Sequence, residues 1–354
     1  MRESALYTVL ALLLLQLGGC YPDRPVYTDR FLAFGTLVDI TIVGASQQQA
    51  QEAARAVEED FLKMHEAWHA WNPGPLGRTN EQLAIGIQFP APPMILPLVK
   101  SGQALSARSR HLFNPAVGQL IDAWGFHDDN PEGHQPPPDA MIQELVLNNP
   151  RMSDIRIEGI NLQSSNPSVK LDFGAFGKGY GIDLAVKHLK ELGIKNAILN
   201  TGGDLRAFGS RNGIPWNIAI RRPDGAGVIA TTKVSGDESI FTSGDYERYF
   251  SWRGKRYHHI IDPRTGYPAE GTRSVTVIHP DSTTADAAAT ALFVAGPDMW
   301  HEIARDMGIE FVMLIDAAGA IHMSPEMEQR LELLDTDRKT IISPPMTGSG
   351  TRGS

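Results

Sequence analysis

The feature that most constrains the fold is a glycine-rich segment, LDFGAFGKGYGID, at residues 171–183. It follows a strand-like run at 169–171 and precedes residues 182–192, which repeat apolar side chains at helical spacing. The glycines therefore lie at a turn from a strand into a helix. Glycine lets backbone N–H groups approach an anion closely, and the start of a helix favours negative charge. With Lys178 among the glycines, the segment predicts an anion-binding turn, and a purely structural turn is the alternative.

Glycine spacing and net charge argue against several classes of protein. The glycines match neither the dinucleotide fingerprint G-x-G-x-x-G nor the nucleotide-binding pattern G-x-x-x-x-G-K-[ST], so neither of those folds is predicted. The 354 residues carry a net charge of -9 and offer no basic stripe that would neutralise nucleic-acid phosphates. The expected partner is a small molecule or a protein, and not nucleic acid.

The N-terminus has the pattern of an export signal. Arg2 precedes an apolar run at 5–17, which is too short to span a bilayer, and Gly18-Gly19-Cys20 follows. Small residues before the only cysteine are typical of a bacterial lipobox, so we expect a signal peptide over 1–19, lipidation of Cys20 and a lipidated tether over 20–30. A plain signal peptide with an incidental cysteine is the alternative. A sole cysteine forms no intramolecular disulfide.

Short strands and helices interleave along the chain. Alternation at 34–42 predicts a strand, and Ser46 is placed to cap the helix that follows it. Strand patterns dominate the second half, with a hairpin turn at 253–255. Helical patterns then return at 283–294 and 297–307.

This interleaving predicts the fold class. Because strands and helices alternate in both halves, we expect a single α+β unit over 31–335, and two subdomains are the alternative organisation. Residues 336–354 show no periodic pattern, so we expect a disordered tail there.

Three further segments carry more Gly, Asp, His and Thr than structure alone requires. Residues 200–204 (NTGGD) form either a hairpin turn or a place where a ligand touches the backbone. Residues 242–246 (TSGDY) offer hydroxyls and a carboxylate and are equally ambiguous. Residues 258–266 (HHIIDPRTG) end a strand with imidazole, carboxylate and guanidinium groups. Since neighbouring strand residues point to opposite faces, we expect at most one of these histidines to face a site.

Asp286 and Thr290 form a fourth candidate. They lie four residues apart in an alanine-rich helical pattern, so a carboxylate and a hydroxyl share one face. Both are hard oxygen ligands of the kind that Mg2+ prefers. The alternative is that Asp286 caps the helix or is solvated.

Taken together and in this order, these segments resemble the ApbE family, the FAD:protein FMN transferases of bacterial envelopes. The resemblance begins at Phe34-Gly35-Thr36, where the family usually has Met-Gly-Thr, and extends to about residue 316. It implies a single ApbE-like, T-fold-related α+β unit. It also implies that FAD, bound with Mg2+ at its pyrophosphate, is cleaved and that FMN passes through a phosphoester to a threonine. The implied acceptor is a partner flavoprotein, for example a subunit of a membrane redox complex.

The resemblance also assigns roles to individual residues. His259 matches the histidine usually proposed as the base. The metal ligands that it implies are the backbone carbonyl of Ala175 and the side chains of Asp286 and Thr290. The FAD-binding positions that it implies are Phe34, Trp71, Leu112, Phe113, Asn114, Asp172, Lys178 and Ile261.

Three positions depart from the usual pattern of the family. Trp71 stands where a tyrosine is common, Asn114 replaces a common aspartate, and Ala289 stands where some members have an extra carboxylate near the metal. We therefore expect a different wall of the flavin pocket and an Mg2+ ion held by fewer protein oxygens.

The residues leave two other functions open. With water in place of threonine, the same site would hydrolyse FAD to FMN and AMP; without chemistry, the protein would be a flavin-binding lipoprotein. An intact set of Lys178, Asp286 and Thr290 favours catalysis. The export signal and Cys20 predict a protein of the bacterial cell envelope that is lipid-anchored, at the inner membrane, and faces the periplasm.

Overall fold

The computed structural model of the protein describes residues 24–128 and 132–346. Within these residues the α-helices are α1 (Gln47–Trp68), α2 (Pro75–Ile85), α3 (Leu96–Arg108), α4 (Gly118–Ala123), α5 (Asp139–Leu147), α6 (Gly177–Glu191), α7 (Ser282–Met307) and α8 (Pro325–Glu328). The β-strands are β1 (Val26–Ala33), β2 (Thr36–Val43), β3 (Phe89–Pro90), β4 (Ile155–Glu158), β5 (Asn161–Ser164), β6 (Ala197–Thr201), β7 (Asp204–Gly209), β8 (Trp216–Arg221), β9 (Val228–Val234), β10 (Gly236–Gly244), β11 (Tyr249–Trp252), β12 (Lys255–His258), β13 (Thr272–His279), β14 (Phe311–Asp316), β15 (Ile321–Met323), β16 (Leu331–Leu333) and β17 (Thr340–Ile342).

A nine-stranded sheet forms the centre of the fold, in the order β1-β2-β6-β7-β10-β13-β14-β15-β17. Neighbouring strands run antiparallel except β15 and β17, which are parallel. Antiparallel neighbours can be joined by very short turns, and Gly202-Gly203 is one, because Thr201 pairs with Asp204 across it. The hairpin interpretation of the NTGGD segment is therefore confirmed.

Different layers cover the two faces of this sheet. The helices α1, α6 and α7 lie on one face, and a three-stranded sheet in the order β16-β9-β8 lies on the other. Consecutive residues of a strand alternate between the two cores: Val312 and Leu314 of β14 face the helices, whereas Met313 and Ile315 face the small sheet. Helices on one side and strands on the other make a mixed α+β fold, so the predicted class is confirmed.

A hairpin of β11 and β12 lies outside the central sheet. Trp252 pairs with Lys255, so Arg253 and Gly254 form the turn that the sequence predicts at this point. The rings of Phe250 and Tyr257 stack with centroids 5.4 Å apart, and Tyr257 also packs on Trp124. This aromatic cluster fixes the position of the hairpin, whose last strand leads into the HHIIDPRTG segment.

Three boundaries differ from the sequence-based expectation. The tether predicted over 20–30 overlaps β1 (Val26–Ala33), which pairs along its whole length with β2. The helices predicted on either side of Pro297 are one element, α7, interrupted at Gly296, where a φ of 70° and a ψ of -179° are not helical. The tail predicted to be disordered from residue 336 instead contains β17, in which Ile341 pairs with His322 of β15. Three residues are too few to show the alternation typical of a strand. Their backbone groups nevertheless pair with the open edge of the sheet.

The described residues say nothing about the predicted anchor. Cys20 and the predicted signal peptide lie outside them. Over residues 24–128 and 132–346, no helix combines the length and the apolar character needed to cross a bilayer.

Candidate active site at the junction of two helices

The glycine turn lets α6 and α7 touch at one point. A Cβ atom at Gly179 would lie 2.3 Å from the carbonyl oxygen of Ser282 and 2.9 Å from the Cβ of Asp286, so a larger residue does not fit. The amide of Gly179 donates a 2.9 Å hydrogen bond to Oδ2 of Asp286. The turn therefore holds a carboxylate of α7 against the start of α6.

The three predicted metal ligands lie together at this junction. Asp286 is buried, and the Oγ1 of Thr290, one turn further along α7, lies 3.5 Å from the carbonyl oxygen of Ala175. Burial raises the pKa of Asp286 to about 8, against the opposing influence of Lys178. The carboxylate thus has less positive charge around it than its burial requires.

Lys178 is the principal cation of this site and lies between carboxylates. Its Nζ forms an ion pair with Asp204 at the start of β7, and Asp204 also accepts a 2.9 Å hydrogen bond from the amide of Thr242. Burial lowers the pKa of Lys178, but the charges of Asp204 and Asp286 outweigh this effect and hold it above the ordinary value. Lys178 therefore stays protonated at neutral pH.

A hydroxyl of the central sheet completes the wall beside α7. Ser243 of β10 lies with its Oγ 3.4 Å from the Oγ1 of Thr290. The neighbouring Thr242 points to the other face of the sheet, where its Oγ1 lies 2.9 Å from that of Thr276 on β13. The TSGDY segment thus contributes Ser243 to the site, and the NTGGD segment contributes Asp204. Sequence reasoning marked both segments but did not select either residue.

The two adjacent histidines have different environments, as the strand geometry predicts. His258 is buried, its Nε2 lies 2.9 Å from the carbonyl oxygen of Ala269, and burial lowers its pKa to about 4. His259 is half-buried, and its backbone N–H and Nδ1 lie 3.1 and 3.2 Å from the carbonyl oxygen of Arg248. The two imidazoles therefore make different contacts, and the assignment of His259 to the site remains a prediction.

His259 is a neutral imidazole with a defined tautomer. Burial, followed by the charges of Arg248 and His258, lowers its pKa to about 3. Because a carbonyl oxygen only accepts hydrogen bonds, the contact with Arg248 places the ring proton on Nδ1 and leaves Nε2 as the acceptor. Arg248 is itself held by hydrogen bonds of 2.7 and 2.9 Å to the carbonyl oxygens of Phe126 and Asp128.

Phe34 and Trp71 supply half-buried aromatic faces near the glycine turn. Phe34 has a φ of 52° and stacks on Trp68 with centroids 5.8 Å apart and planes at 4°. It packs over Gly181, where a Cβ would come within 3.3 Å of its ring. Trp71 lies under the Nζ of Lys170, 3.9 Å from the ring centroid. Both positions fit the prediction of aromatic walls for a planar ligand.

Asp172 lies at the beginning of the glycine turn. Its Oδ1 accepts a 2.7 Å hydrogen bond from the amide of Gly174, which shapes the turn locally. Burial raises the pKa of Asp172, and the charge of Arg248 is among the influences that oppose this rise.

The other predicted FAD-binding side chains are placed behind the site. Leu112 and Phe113 are buried, and Phe113 packs edge-on against Phe176 at 5.3 Å. The side chain of Asn114 forms hydrogen bonds with backbone groups: it donates to the carbonyl oxygen of Pro150 and accepts from the amide of Ala116. Ile261 packs in the apolar cluster around the β11–β12 hairpin. Their assignment to FAD remains a prediction.

The candidate metal site at the helix junction offers oxygen donors of different kinds. Among the residues that the structure describes, no three or more His, Cys, Asp or Glu side chains are arranged to hold a metal ion. Asp286 is the single carboxylate of the predicted set, and Ala289, next to Thr290, is buried and apolar. A cation here would therefore use the hydroxyl of Thr290 and the carbonyl of Ala175 as well.

The chain combines an α+β fold with a glycine turn, a partly exposed lysine, and an Asp and a Thr on one helix. The sequence profile of the ApbE family matches residues 34–313. An FAD:protein FMN transferase of Rhodobacter capsulatus is 41% identical over 339 residues, which cover 94% of this chain and 65% of that protein. One of Treponema pallidum is 30% identical over 363 residues, covering 95% and 98% of the two chains.

Structural comparison agrees with the sequence comparison. The crystal structure of an ApbE protein of Thermotoga maritima superposes with a TM-score of 0.79 at 32% identity, over 86% of this chain and 99% of the other. The chain therefore belongs to the ApbE family, and it is a transferase.

Proposed function

We propose that this protein is an Mg2+-dependent FAD:protein FMN transferase whose acceptor is a threonine hydroxyl of a partner flavoprotein. The observation that carries the proposal is the convergence, at one helix junction, of Lys178, Asp286, Thr290 and the Ala175 carbonyl. Family membership supplies the class of reaction, and these residues supply the groups that a pyrophosphate requires.

The donor set fits Mg2+. Asp286, Thr290 and Ala175 offer a carboxylate, a hydroxyl and a carbonyl oxygen, all hard ligands, and Mg2+ commonly keeps water and substrate phosphate as its other ligands. When bound, the ion would neutralise charge on the pyrophosphate and on the buried Asp286. The raised pKa of Asp286 supports this fit, because the charge of Lys178 does not fully offset the burial of the carboxylate.

The residues of the chain have separate tasks in the transfer. Lys178 and the positive end of the α6 dipole bind and orient the pyrophosphate of FAD. The threonine oxygen attacks the phosphorus of the FMN moiety, the phosphoanhydride bond breaks, and AMP leaves. The Nε2 of His259 takes the proton from the hydroxyl. A bound pyrophosphate would raise the low pKa of His259 by its negative charge and so make it a stronger base.

Incubation of the detergent-solubilised protein with FAD, MgCl2 and an acceptor flavoprotein fragment tests the proposal. We expect the acceptor to gain the mass of FMN and AMP to appear in equal amount, with no labelling of an acceptor whose threonine is replaced by valine. EDTA should abolish the reaction. Rapid release of free FMN without labelling of a competent acceptor would instead establish the hydrolase, and bound FAD that is never cleaved would establish a flavin carrier.

We also propose that the lipid anchor is built on Cys20 and holds the enzyme at the periplasmic face of the inner membrane. The support is the short apolar run before the sole cysteine. Cys20→Ser should release the protein from membranes or leave an unprocessed precursor. Normal membrane retention of a processed Cys20→Ser protein would contradict the proposal.

A further inference from the structure

The carboxylate of Asp183, on α6, forms hydrogen bonds with the start of α7. It accepts hydrogen bonds from the first turn of α7: 2.9 Å from the amide of Ser282, 2.8 Å from the amide of Thr283 and 2.6 Å from the hydroxyl of Thr283. These amides have no partner within their own helix, so the carboxylate of α6 caps α7 from outside.

Arg206 joins a third element to this contact. Its guanidinium forms an ion pair with Asp183 and is held on its other edge by Asp237, at 2.7 and 2.9 Å. Only 14% of the Arg206 side chain and 18% of the Asp183 side chain are exposed. A planar guanidinium held on two edges has little freedom to move, so Arg206 fixes the carboxylate that caps α7.

Each element joined by this contact also carries a residue of the candidate active site. Lys178 lies on α6, Asp286 on α7 and Asp204 on β7. Asp204 and Arg206 are two residues apart on β7 and therefore share one face of the strand. The Asp183–Arg206 pair links the three elements and borders an open depression of about 380 Å3, whose other lining residues all belong to α6.

Small displacements at this junction matter because the helices already touch. Ser282, which Asp183 caps, is the residue whose carbonyl oxygen leaves no room for a side chain at Gly179. Asp286 lies one turn further on the same face of α7. A shift of the first turn of α7 would therefore move the Asp286 carboxylate relative to Gly179 and Lys178.

We propose that Asp183, held by Arg206, is a positioning residue that sets the register of α7 against α6 and so places Asp286 and Thr290 opposite Lys178. The inference rests on the proposed function, since it assumes that these residues bind the metal and the pyrophosphate. Neither Asp183 nor Arg206 touches the reacting groups.

A pair of variants on the same helix end tests this inference. Asp183→Ala removes the cap supplied by α6, and the matched control Asp281→Ala removes the helix's own cap, which accepts a 2.7 Å hydrogen bond from the amide of Thr284. For Asp183→Ala we expect the MgCl2 concentration at half-maximal labelling to rise roughly 10- to 100-fold, as for other residues that orient metal ligands. FAD binding, followed by flavin fluorescence without acceptor, should weaken in the same variant. Asp281→Ala should leave both quantities within about twofold.

Thermal unfolding of both variants separates positioning from a general loss of stability. If Asp183→Ala and Asp281→Ala change the MgCl2 requirement and FAD binding to the same extent at equal folded fraction, the inference is wrong. If Asp183→Ala does not fold, Asp183→Asn and Arg206→Lys take its place, with a smaller shift expected in the same direction; no shift in either would overturn the inference.

The proposed function fails in a different way. If the wild-type protein labels its acceptor fully in EDTA, the metal assignment is wrong, and Asp183 is then judged on FAD binding alone. In that case unchanged FAD binding by Asp183→Ala would overturn the positioning role as well.

Discussion

The two faces of the central sheet differ in the side chains that the same strands place on them. On β7, Leu205 points into the apolar core under the small sheet, whereas its neighbours Asp204 and Arg206 point to the helices. The small-sheet side is packed with Ile, Val, Leu and Met, whereas the helix side buries Asp204 and Asp286 beside the partly exposed Lys178. The helix side also holds the larger apolar core. Buried charges cost free energy unless they are paired, so the comparison indicates that the helix side carries an added cost that the small-sheet side does not.

Substitution of each of the two adjacent histidines is the most direct test of the difference between residues of the site and residues of the core. His259→Ala should lower the labelling rate by roughly 100- to 10,000-fold if His259 is the base, with FAD binding retained. His258→Gln is the matched control, because His258 lies one residue away and faces the core. It should lower stability but leave the labelling rate per folded molecule within a few-fold. Unchanged labelling by His259→Ala would refute the base assignment while leaving the transferase activity intact.

Asp286→Asn separates activity from stability on the helix face. Asparagine keeps an oxygen for the Gly179 amide but removes the charge, so we expect labelling to fall by at least about 100-fold, beyond the effect of losing an orienting residue. Because the buried carboxylate is disfavoured in its charged form, the thermal midpoint should stay the same or rise. Labelling that survives this substitution at wild-type MgCl2 concentrations would contradict the metal assignment.

Ile229→Ala probes the opposite face and should give the reverse result. Ile229 is fully buried in the core of the small sheet, so its truncation should lower the free energy of unfolding by roughly 2 to 5 kcal/mol. The labelling rate per folded molecule should not change. Denaturant unfolding and a labelling assay at low temperature measure the two effects, and a specific loss of activity would show that the two faces are not independent.

The smallest expected effect is the pH dependence of stability contributed by His258. Its pKa is about 4 in the folded protein and about 6.5 when unfolded, so the unfolded chain binds more protons between these values. The contribution of His258 to stability is therefore complete above pH 6.5 and is lost as the pH falls toward 4, by up to about 2 kcal/mol at pH 5. His258→Gln should show a shallower fall in unfolding free energy between pH 7 and 5. Parallel curves for the two proteins would contradict the burial of a neutral His258.

Local patterns were sufficient to predict several parts of the site. The glycine spacing predicted the turn before α6, and the four-residue spacing predicted that Asp286 and Thr290 share a helix face. Strand alternation predicted that at most one of the two histidines faces a site, and the structure gives the two side chains different environments. These predictions depend on backbone geometry within a few residues, which the sequence encodes directly.

Other features were beyond local patterns. The disordered tail was predicted because a three-residue strand such as β17 has no detectable period. Contacts with distant parts of the chain order it, namely pairing with β15 and the burial of Met346 in the main core. Leu112 and Phe113 follow a helix end with no signal that distinguishes a pocket wall from the core, and the structure buries both side chains.

The sequence by itself determined the α+β class and the glycine turn before α6, because each depends on residue type and short-range periodicity. Only the tertiary structure decided which charged side chains form ion pairs or hydrogen bonds with distant residues. Lys178 and Asp204 are 26 residues apart, and Asp183 caps a helix that begins 99 residues later. Contacts over such separations follow from how the sheet and helices pack, since many partners are chemically equivalent along the chain and only the fold brings one of them within hydrogen-bonding distance.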